Sequence, residues 1–491
     1  MLLLGIDLGT QSLKALVADA DSFAVRGQGS EPLAVRHPFP GAAEQSPRDW
    51  LRALRPAVGR ALQEAGAQPE EIAAVAVTGQ LDGCLAVDPA ARPLGDALIW
   101  MDRRATAPLA RVDSELVRAR TGLVADASHQ AAKIRWLLDL GGLPDGTRFH
   151  QPVSFLVERL TGAFVQDHAL ASTSMLYGLA ERGWDPTLCE RFAIDPRSLP
   201  AIAEATDLAG GGVTALGAEL SGLRPGTPVA VGTGDDFASA IGAGVTRPGT
   251  VLCCVGTAEV VGAVHDQPVL DPGALVETHG FPGGRFFVEN PGWLSGGALR
   301  WLRDLLGVAD WAALDALAEA VPAGADGVTA LPTFTGAMTP EWLAEGRGAL
   351  YGLTPAHGPG HLVRAFQEGA AFAMADVIDR LSELGLATER VRLTGGGARS
   401  AVCARIRAAV ADRPVEIVDV EHAAAQGAVA CAAVAVGAAR SLAEAADRLA
   451  TVRRMVLPEP AEVEAYRAAR ERARALFEAL RPIMRRPWTT G

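Results

Sequence analysis

Hydrophobic positions recur along the chain in two rhythms. Short apolar runs, namely LLLGID (2–7), IAAVAV (72–77), TPVAVG (227–232), TVLCCV (250–255), VRLTG (391–395) and VEIVD (415–419), read as strands. Longer segments at 50–66, 361–385 and 461–481 place apolar residues three and four apart with charges between them, which predicts helices. In 361–385 the interspersed Arg364, Glu368, Asp376, Asp379 and Arg380 predict a packed amphipathic helix rather than a membrane one. Pro- and Gly-rich stretches at 208–228 and 322–340 predict surface connections. Strands alternating with helices predict an α/β fold with mixed sheets.

The pattern also repeats. Leu8-Gly9-Thr10 is followed by an apolar run ending at Asp19, and Val255-Gly256-Thr257 by one ending at Asp266. The Gly-to-Asp spacing is the same in both. Each copy reads as strand, glycine turn and returning strand: LLLGID, GTQS, LKALVAD, and TVLCCV, GTAE, VVGAVHD. Copies about half the chain apart predict two similar domains, 1–243 and 244–491. A length of 491 residues agrees, being too long for one ordinary core.

Composition narrows the function. The chain is 49% hydrophobic and 21% charged, which is globular, and its net charge of −12 argues against a nucleic-acid partner. The opening MLLLGIDLGTQ lacks a charged leader region and reaches Asp7 early, and no apolar run approaches the roughly 20 residues that span a bilayer. The expectation is a soluble, cytoplasmic protein. Cys84, Cys189, Cys253, Cys254, Cys403 and Cys431 are scattered without metal-site spacing and read as reduced core thiols. His129 and His150 show no metal spacing either and read as surface or core. The Arg-rich stretch 467–486 reads as a charged helix face.

Three segments carry candidate chemistry. In Gly5-Ile6-Asp7-Leu8-Gly9-Thr10-Gln11-Ser12-Leu13-Lys14 a carboxylate ends a strand beside a turn of amides and hydroxyls, suited to Mg²⁺ and phosphate oxygens; an ordinary hairpin turn is the alternative. In Val231 to Ala240 a strand stops at glycines before Asp235 and Asp236, where a helix N-terminus favours an ionised aspartate that could accept a hydroxyl proton; a plain helix cap is the alternative. Thr394-Gly395-Gly396-Gly397-Ala398-Arg399-Ser400 joins a strand to a helix, and its glycines let a flat ligand lie on the backbone.

Taken in order, Asp7-Leu8-Gly9-Thr10, Gly79-Gln80-Leu81-Asp82-Gly83, Trp100-Met101-Asp102-Arg103-Arg104, Gly234-Asp235, Val255-Gly256-Thr257 and Gly395-Gly396-Gly397-Ala398-Arg399-Ser400 resemble the FGGY carbohydrate kinases. The resemblance runs from residue 2 to about residue 440, and within the family it is to xylulokinases. It implies two ribonuclease-H-like domains, as in actin and hexokinase, about a central cleft. It implies ATP and Mg²⁺, with Asp7 holding the ion, usually through water, and Thr10, Gln11 and Lys14 near the transferred phosphoryl. Gly256 and Thr257 would form a second phosphate loop, and Gly395, Gly396, Gly397, Ala398 and Ser400 would border the nucleotide. Asp235 would be the catalytic base, with Gln80, Leu81, Asp82, Trp100, Asp102 and Asp236 around the acceptor; Trp293 is a further candidate for stacking on it.

The implied reaction is ATP-dependent phosphorylation of a small neutral sugar, D-xylulose to D-xylulose 5-phosphate. Another ketopentose or a polyol, D-ribulose or erythritol-like, is the alternative acceptor. Asp82 stands where xylulokinases usually carry His, and Asp236 where they often carry Asn, so a more acidic pocket is expected. The other class is a non-catalytic actin-like protein that binds sugar or ATP, against which the presence of Asp235 speaks. The partners are then a sugar or polyol and ATP, with no nucleic acid and no membrane, and the family's frequent homodimers leave dimerisation an open expectation.

Overall fold

The hairpin that opens the chain is the centre of a mixed sheet, in a computed structural model that describes residues 1–418 and 420–485. Its strands lie in the order Val229–Gly234, Ile72–Gly79, Leu2–Leu8, Ser12–Asp19, Val25–Pro32. The last three run antiparallel in turn, and the first two lie parallel to Leu2–Leu8. Alternation along Leu2–Leu8 serves both faces. Leu4, Ile6 and Leu8 pack with Trp50, Leu54 and Val58 of the helix Pro47–Ala65, while Leu3 faces Phe237, Ile241 and Val429 on the other side.

The second half repeats this plan. Gly249–Val255 takes the central place, with Ala258–His265 and Arg285–Leu294 antiparallel on one side and Thr388–Thr394 and Val415–Val418 parallel on the other. Glu277–Phe281 and Val452–Val456 extend its two edges. The echo of glycine turns in the sequence is therefore a duplication of a five-strand order.

Two junctions hold the lobes together. The helices Asp235–Gly242 and Ala423–Ala435 cross with their backbones nearly touching. A Cβ on Gly427 would stand 1.9 Å from Ala238 O, and one on Gly242 2.0 Å from Ala423 O, so only glycine permits the approach. At the second junction the edge strand Glu277–Phe281 docks on the first lobe: Thr278 N donates to Gly122 O (3.2 Å) and Gly280 N to Ser172 Oγ (2.9 Å).

Several expectations are refined. The segment 208–228 contains the helix Ala215–Ser221, seated with Val213 and Leu223 in the first core, and 322–340 contains the buried strand Thr329–Leu331. Val213 and Leu223 anchor the first segment, but Leu208 and Leu216 are exposed, so 208–228 remains a surface connection and the correction falls on 329–331. The helix Pro359–Glu383 is packed, as expected, and buried more widely than one face: Arg364 Nε lies 2.9 Å from Glu368 Oε1, both buried, while Asp379 stays partly exposed. Arg470 and Arg474, on the expected charged helix face, bond Asp376 of that helix at 2.6 and 2.8 Å. Asp419, the end of the expected strand 415–419, and Arg486 lie outside the described residues. All six cysteines are free, and all but the half-buried Cys254 are buried. Among the described residues no helix is long and apolar enough to cross a membrane.

Candidate active site

Parallel strands deliver their carboxyl ends to one crevice, and the turns that follow face each other across it. The first turn, Gly9 to Gln11, is closed by Gly9 N donating to Ser12 O at 3.1 Å. The second, at Gly256 and Thr257, is closed by Gly256 N donating to Ala258 O at 2.8 Å. The third begins at Gly395, whose φ of 79° and approach to Val255 O, 2.6 Å from a notional Cβ, require glycine. Asp7, Thr10, Gln11 and Lys14 line one wall, Thr257, Gly395, Gly396 and Ala398 the other, with Asp235 and Asp236 between them. The space enclosed, counting what is open to solvent, is about 2490 Å³.

Two expected nucleotide residues have other work. Ser400 Oγ accepts Cys403 N at 3.1 Å, capping the helix Ala401–Ala411, and Gly397 abuts the Val255 side chain rather than the cleft. Neither lines the cleft wall. Arg399, Glu421, His422, Arg453 and Arg454, which no sequence expectation placed there, do.

Asp7 is buried at the end of its strand. Lys14 Nζ stands 3.6 Å from its Oδ2, and its Oδ1 has no hydrogen-bond partner. Burial pushes the Asp7 carboxyl up, and Lys14 partly offsets this. An orphaned carboxylate oxygen facing phosphate-sized space fits a hard cation that keeps most of its water. Among the described residues no three acidic, His or Cys side chains could cage a metal, so phosphate oxygens and water would complete its shell.

Asp235 is the first residue of its helix, after Gly234, not a residue preceding it. Burial pushes its carboxyl well above the usual range, and the carboxylates of Asp236 and Asp7 push it further. The amides of the helix start pull the other way and lose. The helix start does favour the ionised form, as expected, but burial and the neighbouring carboxylates outweigh it. Asp236 is raised to about 6 by burial and by Asp82.

Around the expected acceptor region the residues separate. Gln80 is buried, donates Nε2 to Gln45 Oε1 at 2.7 Å, and keeps Oε1 unpartnered. Leu81 packs between the two faces of the first lobe. Trp100 is exposed at 42%, and its Nε1 donates to Thr10 Oγ1 at 3.0 Å, which ties it to the first turn. Trp293 is buried in the second core, so it does not offer a stacking face.

Asp102 is fully buried and committed: it accepts Ala43 N at 2.8 Å and Arg104 Nε at 2.8 and 3.0 Å. With its oxygens taken, it braces the loop instead of meeting an acceptor. Asp82 adopts φ 55° and faces His129, with Nδ1 3.3 Å from Oδ1. The sequence reading missed His129, and with it Glu277, His279 and Glu289, which stand together where the lobes meet. No local motif marks them, because they are neighbours only across the junction.

Two family models cover the chain: the N-terminal domain of the FGGY family of carbohydrate kinases over residues 2–242, and its C-terminal domain over 251–436. A glycerol kinase of Thermococcus kodakarensis is 32% identical over 448 residues, 88% of each chain. A xylulose kinase of Escherichia coli is 28% identical over 494 residues, 98% of this chain and 99% of that one. The crystal structure of a xylulose kinase from Rhodospirillum rubrum superimposes with a TM-score of 0.89 at 31% identity, covering 99% of this chain and all of that one.

Proposed function

The chain belongs to the FGGY family of carbohydrate kinases, a phosphotransferase acting on the alcohol group of a sugar or polyol, and on that premise we propose that Asp235 is its base and D-xylulose its acceptor, giving D-xylulose 5-phosphate. The carrying observation is the place of Asp235: at the floor of a cleft whose walls are the turns of two duplicated lobes. We divide the chain at 243/244, just after the helix that Asp235 begins.

Phosphoryl transfer asks chiefly for alignment and for charge to be neutralised. Thr10 and Gln11 on one turn, Lys14 on the strand after it and Thr257 on the other turn hold ATP phosphates; Gly395, Gly396 and Ala398 leave room for its base. Asp7 with water would hold Mg²⁺, which would supply positive charge to the phosphate oxygens and favour the ionised form of Asp235. Asp235 orients the acceptor hydroxyl and takes its proton as the oxygen bonds to the γ-phosphorus and the bond from that phosphorus to the β,γ-bridging oxygen breaks, releasing ADP. Asp82 and Asp236, acceptors only when ionised, suit hydroxyl groups and repel acidic sugars. Movement of the lobes about the Gly242 and Gly427 crossing would exclude water, which otherwise wastes ATP. We place the reaction in the cytoplasm, in pentose use.

A small polyol is the second reading, favoured by the carboxylate of Asp82 and by relatives named glycerol kinase at 32% identity. Coupled ADP release with D-xylulose, D-ribulose, erythritol, xylitol, glycerol and gluconate decides between them. The expected order puts D-xylulose first and gluconate last; preference for a polyol would favour the second reading, and release independent of any acceptor would overturn both.

A further inference from the structure

One imidazole behind the acceptor wall touches both lobes. His129 is buried, directly before the helix Gln130–Leu140. Its Nδ1 lies 3.3 Å from Asp82 Oδ1, and its Nε2 lies 3.2 Å from Val124 O and 3.8 Å from Glu277 Oε1. Asp82 belongs to the first lobe and Glu277 to the docked edge strand of the second. Glu277 is buried, and the oxygen that faces His129 also accepts Val124 N at 2.8 Å.

The backbone of Asp82 is fastened independently of its side chain. Its N donates to Gln151 Oε1 at 3.0 Å, and its carbonyl accepts Lys133 Nζ at 2.7 Å. Its carboxylate is held by His129, with the Thr173 hydroxyl close by. A carboxylate on a fixed turn can still rotate, and the imidazole, with the Thr173 hydroxyl, restrains it. On its far side that imidazole meets Val124 O of its own lobe at 3.2 Å and, at 3.8 Å, the Glu277 carboxylate, which is beside it only while the lobes are docked. Parting them would take the Glu277 carboxylate from the imidazole and leave it on Asp82 and Val124 O alone, so the orientation of Asp82 and the docking of the lobes share part of one free energy.

We propose that His129 is a positioning residue for the acceptor: it fixes the Asp82 carboxylate in its binding orientation and, through Glu277, makes that orientation depend on the second lobe. The proposal rests on the reading of Asp82 as an acceptor ligand. If His129 were only a buried counter-charge, its removal would lower stability and leave acceptor affinity alone.

The test uses the full chain with D-xylulose, erythritol and glycerol as acceptors, and compares Asp82→Ala, His129→Ala, His129→Asn and Glu277→Gln. Acceptor KM, kcat and the ADP dissociation constant are read for each. Asp82→Ala and His129→Ala are each expected to raise acceptor KM by about tenfold, with kcat and ADP binding changed by less than about threefold. His129→Asn, which keeps a donor near Asp82, is expected to recover most of that loss, and Glu277→Gln to raise KM by roughly threefold. The double variant Asp82→Ala/His129→Ala should be no worse than Asp82→Ala. A raised KM in Asp82→Ala with an unchanged one in His129→Ala overturns the positioning role and leaves the Asp82 reading intact. An unchanged KM in Asp82→Ala removes both. Should His129→Ala fail to fold, Glu277→Gln decides: unchanged KM, or an effect simply additive with Asp82→Ala, overturns the link between the lobes.

Discussion

Lys14 Nζ stands 3.6 Å from Oδ2 of Asp7, its partner across the opening hairpin, while Asp7 Oδ1 is buried with no hydrogen-bond partner. One oxygen answers a fixed cation and the other waits for a mobile one. Asp7→Asn removes the second attraction with little change of shape. Reaction rate titrated against free Mg²⁺ should then need roughly 10- to 100-fold more ion for half its maximum, the usual loss for an outer-sphere partner. An unmoved titration curve would mean that Asp7 has no part in holding the ion.

Asp102 and Arg104 form a buried pair that also accepts a backbone amide, so Asp102→Asn should cost stability rather than affinity. Arg104 keeps Glu44 at 2.8 Å, which puts the loss at the lower end for a broken buried pair, about 3 kcal/mol by denaturant unfolding. Acceptor KM should stay within about twofold. A tenfold rise in KM at unchanged stability would restore Asp102 to the acceptor wall.

Which parts of this were legible in the sequence follows from how local each signal is. The strand order rests on apolar runs and on glycine turns at 9 and 256, features that a short window displays, and the duplication followed from their spacing. The crossing at Gly242 and Gly427 was not legible, because small residues in an alanine-rich helix carry no periodic signal. Asp102 was misplaced because a motif shows that an aspartate is present, not that Arg104 and the Ala43 amide have already taken its oxygens. His129 and Glu277 lie far apart in the chain and meet only through the docking of an edge strand, which no pattern announces.

Burial pushes the His129 imidazole down, but Asp82 and Glu277 outweigh it and hold it well above 6.5. Asp126 and His279 also face this group. With the folded value above the unfolded one, the stabilisation is complete below about 6.5 and is lost as pH rises through the folded value. Melting temperatures of wild type and His129→Asn from about pH 6 to about pH 10 should therefore differ most at the acid end and converge toward the basic end. A gap that is constant over this range would show that the imidazole is neutral there.

The central claim is that Asp235 takes the proton from the acceptor hydroxyl, and Asp235→Asn tests it most directly because the amide keeps the shape of the carboxylate and cannot act as the base. Single-acceptor kinetics and ADP titration on the same preparation separate chemistry from binding. The account predicts that kcat falls by at least about 100-fold while ADP binds within about twofold of wild type. A variant that kept more than about a tenth of kcat would contradict it.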